Sequence, residues 1–238
     1  MMKKMKLAEV PSGKNFEIWD HAYTVLDGDD KGVLALEADV VCEMPFREDG
    51  VDYKVAPNDF RDSSVRTYLE GGYLEELVEA GAELDHDILE MELDLKCTLG
   101  QREYGVVKVY AGLLTLEQYG KYYDIIPKID TPYWLATPWK TPIRSPYTNY
   151  SDYVWLVYSD GDCFSSWYVY TYGVRPALTL SPSLLVSVEC DEEEGVESKW
   201  REYLEYMIRW AISHSDKSFV GCCPVGYAEW INSNREDV

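Results

Sequence analysis

Two aromatic and β-branched runs flank a short polar segment near residue 160, and this pattern constrains the fold more than any other stretch. The runs are Val154–Tyr158 and Cys163–Tyr170, and the segment between them, Ser159–Asp162, contains a glycine. Such runs on either side of a glycine-containing turn predict an antiparallel β-hairpin. A further strand is predicted over Val174–Leu180, so the C-terminal half of the main domain is expected to be sheet.

The charge balance excludes several classes of protein. The chain has 43 acidic and 22 basic side chains in 238 residues, a formal net charge of −21. Binding to DNA, RNA or anionic lipid needs clustered Lys and Arg, so we expect neither nucleic-acid nor membrane binding. Apolar residues make up 46% and aromatic residues 14% of the chain, which is too much for a disordered acidic protein and predicts a sizeable core.

The N-terminal half predicts a β-meander followed by helix. Short apolar runs at Phe16–Trp19, Tyr23–Asp27 and Gly32–Leu36 are typical of strands, with turn residues before the last run. Apolar residues then recur every three to four positions over residues 65–78, after a serine that can cap a helix and around Gly71–Gly72. This spacing predicts two short amphipathic helices, or one helix with a break.

Between the helices and the hairpin, local signals alternate between strand and loop. Ile88–Leu95 and Val106–Leu114 are predicted to be extended. Thr115 and Gln118 have the spacing of a capping box, which predicts a short helix running to about Tyr122. Prolines at 138, 142 and 146 predict an ordered loop over Trp134–Pro146.

A different composition begins at Glu189 with an acidic run, and an amphipathic pattern over Trp200–Ala211 predicts a helix of about four turns. We therefore predict a domain over residues 1–182 and an appended segment over residues 183–238. No internal repeat is visible. The first apolar stretch, Leu7–Val10, is too short for a signal peptide and no run is long enough to span a membrane, so we expect a cytoplasmic protein.

Two boxes carry a family resemblance. They are Trp134-Leu-Ala-Thr-Pro-Trp139 and Gly173-Val-Arg-Pro-Ala-Leu178, in that order around the predicted hairpin, and Ser64-Val-Arg-Thr-Tyr-Leu69 matches an upstream pattern. With these boxes, residues 16–180 resemble a family of uncharacterised bacterial and phage domains. The resemblance implies an α+β fold of twisted antiparallel sheets with a few short helices, distantly similar to C-type lectins and formylglycine-generating enzymes, but fold alone does not set activity.

The sequence gives only weak indications of catalytic or metal-binding residues. The three histidines, His21, His86 and His214, are far apart in sequence, and general acid–base work needs a positioned partner. Cys163 follows the acidic turn, where a lowered thiol pKa is not expected. Asp160 and Asp162 offer oxygen ligands, yet calcium takes six to eight, so a turn explains them better. We expect no catalytic residue, metal or cofactor; an enzyme of the formylglycine-generating kind is the third-ranked alternative.

Aromatic residues are densest around the hairpin and the proline-rich segment. Tyr and Trp offer large, rigid contact area with a polar tip, and they dominate recognition surfaces, although aromatics are also common strand and core residues. The primary hypothesis is a non-catalytic recognition module that binds a protein or small ligand. Its candidate binding residues are Trp134, Trp139, Tyr147, Tyr150, Trp155, Trp167 and Tyr170.

The stretch from Thr67 to Leu95 contains ten acidic residues and no Lys or Arg. Such a run is commonly a solvated face that keeps a protein soluble, and it can also dock on a basic partner. The alternative hypothesis is an acidic inhibitor from a phage or mobile element that mimics nucleic acid and binds a basic host protein. Its candidate surface comprises Glu70, Glu75, Glu76, Glu79, Glu83, Asp85 and Asp87.

Arg175 and Gly173 are predicted to be structural. The neighbours of Arg175 in the predicted strand are apolar, so its planar guanidinium is expected to meet a carboxylate or backbone carbonyls.

Overall fold

The computed structural model describes residues 2–48, 56–141, 152–189 and 203–207. The chain divides into two compact units, one of residues 3–188 and the other of residues 1–2 and 189–238. In the second unit residues 203–207 are helical, and the rings of Tyr203 and Tyr206 lie 6.4 Å apart. The rest of the predicted helix over Trp200–Ala211 lies outside the described residues. The predicted boundary after residue 182 stays a prediction.

Strands dominate the described residues. They are β1 (Met2–Lys6), β2 (Asn15–Ile18), β3 (His21–Gly28), β4 (Val33–Glu37), β5 (Cys42–Pro45), β6 (Ile88–Leu89), β7 (Met91–Asp94), β8 (Val106–Val109), β9 (Ala111–Gly112), β10 (Tyr133–Pro138), β11 (Tyr153–Val157), β12 (Cys163–Trp167), β13 (Thr171–Val174), β14 (Ala177–Leu180) and β15 (Leu185–Glu189). The helices are α1 (Ser64–Tyr68), α2 (Leu74–Glu79) and α3 (Leu116–Tyr122), with 3-10 turns at Leu7–Glu9 and Phe60–Asp62.

The strands form three sheets. The first has the order β1-β15-β2-β3-β4-β14-β6, with β9 also paired to β14; the second has the order β12-β11-β10-β13-β5; β7 and β8 form the third. The pairs described are antiparallel except β10 with β13, which run parallel. The protein is mostly β with antiparallel sheets and few short helices, which is compatible with the α+β class.

The N-terminal meander is confirmed as β2, β3 and β4. Ile18 pairs with His21, so Trp19 and Asp20 form a two-residue hairpin turn. Both turn residues have positive φ, 52° and 60°, the conformation that a tight hairpin of this kind requires and that Asn-Gly would adopt more easily.

The broken helix is also confirmed. Ser63 caps α1 by accepting a hydrogen bond from the Arg66 amide at 3.0 Å. A π-helical turn, Leu69–Tyr73, contains the two glycines and joins α1 to α2. The predicted capping box begins α3, because Thr115 Oγ1 accepts from the Gln118 amide and Gln118 Oε1 accepts from the Thr115 amide.

The prediction of a loop over Trp134–Pro146 is wrong for its first residues. Tyr133–Pro138 is β10, an interior strand of the second sheet in which every residue is buried. Burial of Tyr133–Ala136 outweighs the proline signal, and Pro138 ends the strand. Residues 142–146 of the predicted loop lie outside the described residues.

The predicted strand over Val174–Leu180 is two strands. Its first residue, Val174, ends β13 in the second sheet and its last four form β14 in the first. Arg175 and Pro176 form the crossing between the sheets, where the proline has no amide to donate to a ladder.

Candidate functional site

The β11–β12 hairpin places alternate side chains on two faces of the second sheet. Tyr153 lies opposite Trp167 and Trp155 opposite Ser165, so these side chains share one face. Val154 and Leu156 lie on the other face and are fully buried in the core. The hairpin therefore anchors one set of side chains in the core and presents Tyr and Trp rings on the opposite side.

Further aromatic residues extend that side. The ring of Trp139 lies 4.8 Å from the ring of Trp155, and the ring of Tyr170 lies 6.3 Å from that of Trp167. We call this set the aromatic face: Trp139, Tyr153, Trp155, Trp167 and Tyr170. Trp155 Nε1 donates to Thr98 Oγ1, which fixes the indole orientation from a neighbouring loop.

Three aromatic rings are exposed in or just after the edge strand β12. Trp167 is 43% exposed, Tyr170 is 55% exposed and Phe164, on the other side of the strand, is 51% exposed. Phe164 packs edge-on against Tyr158, with ring centroids 4.9 Å apart. Both sides of β12 thus carry large apolar rings in contact with solvent.

One of the predicted binding residues, Trp134, does not join this face. Trp134 is fully buried: its Nε1 donates to the Met44 carbonyl at 3.0 Å, and its ring packs edge-on against Tyr172. Trp134 is therefore a core residue, since it lies on interior strand β10 and has no accessible surface to offer. Tyr147 and Tyr150 lie outside the described residues.

A groove of about 740 Å³ lies between the end of the β7 hairpin and the start of α3. Its lining mixes acidic residues with Lys96, Lys121 and three threonines, Thr98, Thr115 and Thr137. Thr98 is also the hydrogen-bond partner of Trp155, so the groove adjoins the aromatic face. Its size is in the range of small-ligand pockets.

The predicted acidic surface is exposed in the structure except at Asp87, which is partly buried. Glu75, Glu76 and Glu79 project from the six-residue helix α2. Several other members have local partners: Glu70 pairs with Arg66 at 2.9 Å, and Asp85 accepts from the Tyr110 hydroxyl at 2.8 Å. Glu76 of α2 lies 3.7 Å from His21 Nε2, whereas Glu75 and Glu79 have no ion-pair partner among the described residues, so part of the unpaired charge of this surface lies on α2.

Arg175 and Gly173 are both buried in the core. The buried guanidinium of Arg175 donates to the carbonyls of Glu37, Ala38 and Pro127 and to the Tyr133 hydroxyl. A Cβ at Gly173 would overlap Val40 and lie 3.1 Å from the Pro132 carbonyl oxygen. The sequence predicts either a carboxylate or backbone carbonyls as partners of Arg175, and among the described residues the structure shows backbone carbonyls.

A buried network was missed by sequence reasoning. His21 Nδ1 lies 2.6 Å from Glu37 Oε1, Tyr73 donates to the same oxygen at 2.8 Å, and the Tyr73 and Tyr23 hydroxyls are 3.0 Å apart. Burial raises the pKa of Glu37, and burial with the nearby Glu37 charge raises the pKa of Tyr23. Since Tyr23 lies opposite Glu37 in the meander, the register of the predicted strands was the available signal.

The surroundings of Cys163, Asp160 and Asp162 do not favour nucleophilic catalysis or metal binding. Burial, together with the negative charge of Asp162, raises the pKa of the Cys163 thiol, so the thiolate is disfavoured at neutral pH. Asp160 Oδ1 accepts from the Asp162 amide at 3.0 Å, a turn contact. Within the described part of the chain, no group of three or more His, Cys, Asp or Glu side chains could hold a metal ion.

One comparison with known proteins gives a match. A family model for a domain of unknown function, DUF6273, matches residues 116–182, less than a third of the chain. That segment contains both motif boxes and the β11–β12 hairpin. No curated protein and no solved structure matches the chain. Among the helices described, none has the length and apolar character needed to cross a membrane.

Proposed function

We propose that this protein is a non-catalytic recognition module that binds a protein or small ligand through the aromatic face. The proposal includes a C-type-lectin-like fold, a cytoplasmic location and membership of a bacterial or phage domain family with the two motif boxes. The observation that carries it is the exposure of Trp167, Tyr170 and Phe164 around one edge strand. A cluster of exposed rings costs solubility and is typical of an interaction surface.

The pair of tilted indole rings beside these residues supports the same function. Trp139 and Trp155 are partly exposed, and Trp155 is held by Thr98. A ring held in one orientation loses little conformational entropy when a partner covers it, so the cost of ordering this side chain on binding is small. The core residues Val154 and Leu156 keep the hairpin itself rigid.

The test is capture of a partner from host lysate by the immobilised chain. Trp167→Ala is compared with Tyr123→Ala, because Tyr123 is 44% exposed and lies outside the aromatic face. We expect Trp167→Ala to reduce capture by roughly 30-fold, the effect of a central aromatic contact worth about 2 kcal/mol, and Tyr123→Ala to leave it unchanged. Equal capture by both variants would contradict the proposal.

We propose a second function, docking of the acidic surface on a basic site of a host protein, as a phage or mobile-element inhibitor would do. It is favoured by the three exposed glutamates of α2. Capture would then be lost at about 0.5 M salt, where charges are screened within a few ångströms. Glu75→Lys would weaken it, while Asp130→Lys, an equal charge change at an exposed position elsewhere, would not. Capture that withstands salt and Glu75→Lys excludes this function.

A further inference from the structure

The outer edge of β12 is a row of backbone groups directed away from the sheet. The Tyr158 amide donates to the Asp162 carbonyl at 2.9 Å, and the Tyr168 amide donates to the Asp152 carbonyl at 3.0 Å. Hydrogen-bonded pairs alternate along an antiparallel ladder. The residues between these two pairs therefore alternate as well: Phe164 and Ser166 direct their amides and carbonyls toward β11, while Cys163, Ser165 and Trp167 direct theirs outward.

Most of the outward backbone groups of β12 have no hydrogen-bond partner among the residues that the structure describes. β12 ends the strand order of the second sheet, with β11 as its neighbour on one side. The Trp167 carbonyl accepts from the Tyr170 amide at 3.0 Å, which leaves the Trp167 amide and both groups of Cys163 and Ser165. Edge strands are normally protected against pairing by proline, by lysine or by bulges. The sequence of β12, Cys-Phe-Ser-Ser-Trp, contains no proline or charged residue, and its register with β11 is regular.

Side chains on both sides of this edge can hold an added strand. Phe164 is exposed on one side and Trp167 on the other, so alternate residues of an incoming strand would each meet an aromatic ring. An exposed Trp or Tyr ring also attracts Lys and Arg through cation–π contacts.

The negative charge near β12 favours a basic segment over a second copy of this chain as the added strand. Asp160 and Asp162 are exposed at the turn that begins β12, and the whole chain carries a net charge of −21. A second copy of this chain would bring the same negative charge to the edge, whereas a basic segment would be attracted to it.

We propose that β12 binds an extended, basic peptide segment of a partner protein as an added β-strand, with Ser165 at the centre of the new ladder. This inference rests on the proposed recognition function and names its partner class. Backbone hydrogen bonds to Cys163, Ser165 and Trp167 supply affinity, and the rings of Phe164 and Trp167 supply side-chain preference.

The test uses a synthetic probe, an acetylated and amidated hexapeptide of three Lys-Val repeats, titrated calorimetrically into the full chain. In a second version, the backbone amides of the two central residues are N-methylated. These amides point to opposite edges of the peptide, so both edges are blocked while the charge is kept. A version with Glu in place of Lys keeps the backbone and reverses the charge. We expect each altered peptide to bind at least about tenfold more weakly than the first, since the first change removes backbone hydrogen bonds and the second removes charge contacts.

Ser165→Pro tests the same edge from the side of the protein. Its amide points outward, so proline removes no ladder bond and thermal melting should be close to that of the parent chain. We expect at least about tenfold weaker binding of the Lys-Val peptide for Ser165→Pro and unchanged binding for Ser165→Thr, which keeps the amide.

Three results would overturn the inference: no measurable binding of the Lys-Val peptide, binding that N-methylation or Ser165→Pro leaves unchanged, or a dimer of the chain in sedimentation that Ser165→Pro dissociates. The last result would identify a second copy as the occupant. If lysate capture is lost in Trp167→Ala but retained in Ser165→Pro, recognition by the aromatic face stands and strand addition fails. If both variants capture the partner normally, the proposed function fails as well.

Discussion

Replacement of Arg175 by methionine is expected to destabilise the protein strongly. The guanidinium donates to the carbonyl oxygens of Glu37 at 2.7 Å, Ala38 at 3.0 Å and Pro127 at 3.1 Å, and lies 5.1 Å from the centre of the Tyr133 ring. Methionine fills similar volume but leaves these carbonyls without their donor. Each unsatisfied buried acceptor costs about 1–3 kcal/mol, and release of a desolvated charge returns part of that.

The expected net loss is about 3–5 kcal/mol for Arg175→Met. Arg175→Lys should also cost about 2 kcal/mol or more, because an ammonium group cannot reproduce the planar fork that joins β4 and the Pro127 segment. The assay is urea unfolding at pH 7 followed by tryptophan fluorescence. Arg66→Met is the control, since it breaks a surface pair with Glu70 and should cost less than about 1 kcal/mol. Equal losses for Arg175→Met and Arg66→Met would refute the reasoning.

Three other predictions concern stability. Burial raises the Glu37 pKa, which favours the neutral acid; this contribution is fully present below the ordinary pKa of about 4.3 and is lost as pH rises through the raised value. The unfolding free energy of the parent relative to Glu37→Gln should therefore fall as the pH rises from the ordinary carboxyl pKa through the raised pKa of the folded state, by about 1.4 kcal/mol per unit of raised pKa; a flat difference in urea titrations contradicts this. Gly173→Ala should cost about 2 kcal/mol or more because its Cβ overlaps Val40, whereas Gly120→Ala, with open space in α3, should be neutral or stabilising in thermal melts. Thr115→Ala should cost about 1 kcal/mol by removing the cap of α3, and an unchanged melting temperature would show that the cap is dispensable.

Local signals were sufficient for much of the fold. The meander, the capping box at Thr115 and the β11–β12 hairpin depend on residues close in sequence, and each is present. The strand Tyr133–Pro138 was missed because its state is set by neighbours far along the chain: β13 and β11 cover it on both sides. Turn propensity of proline could not compete with burial of the whole strand.

The candidate site was predicted only in part. Aromatic density indicated the region, but alternation alone could not separate Trp134, which is core, from Trp167, which is exposed. That difference depends on strand order, with β10 inside the sheet and β12 at its edge. In the network of His21, Glu37 and Tyr73, the register of the β3–β4 hairpin could have brought the first two together, but Tyr73 comes from a distant segment that no spacing rule connects to them.

Site-specific photo-crosslinking tests the central claim most directly. Benzoyl-phenylalanine is placed in turn at positions 167, 76 and 123, and each chain is irradiated in host lysate. Recognition through the aromatic face predicts a partner crosslinked from position 167 and absent from position 123, where the native residue is equally exposed. Crosslinking from position 76 alone, or from none of the three positions, would contradict the account.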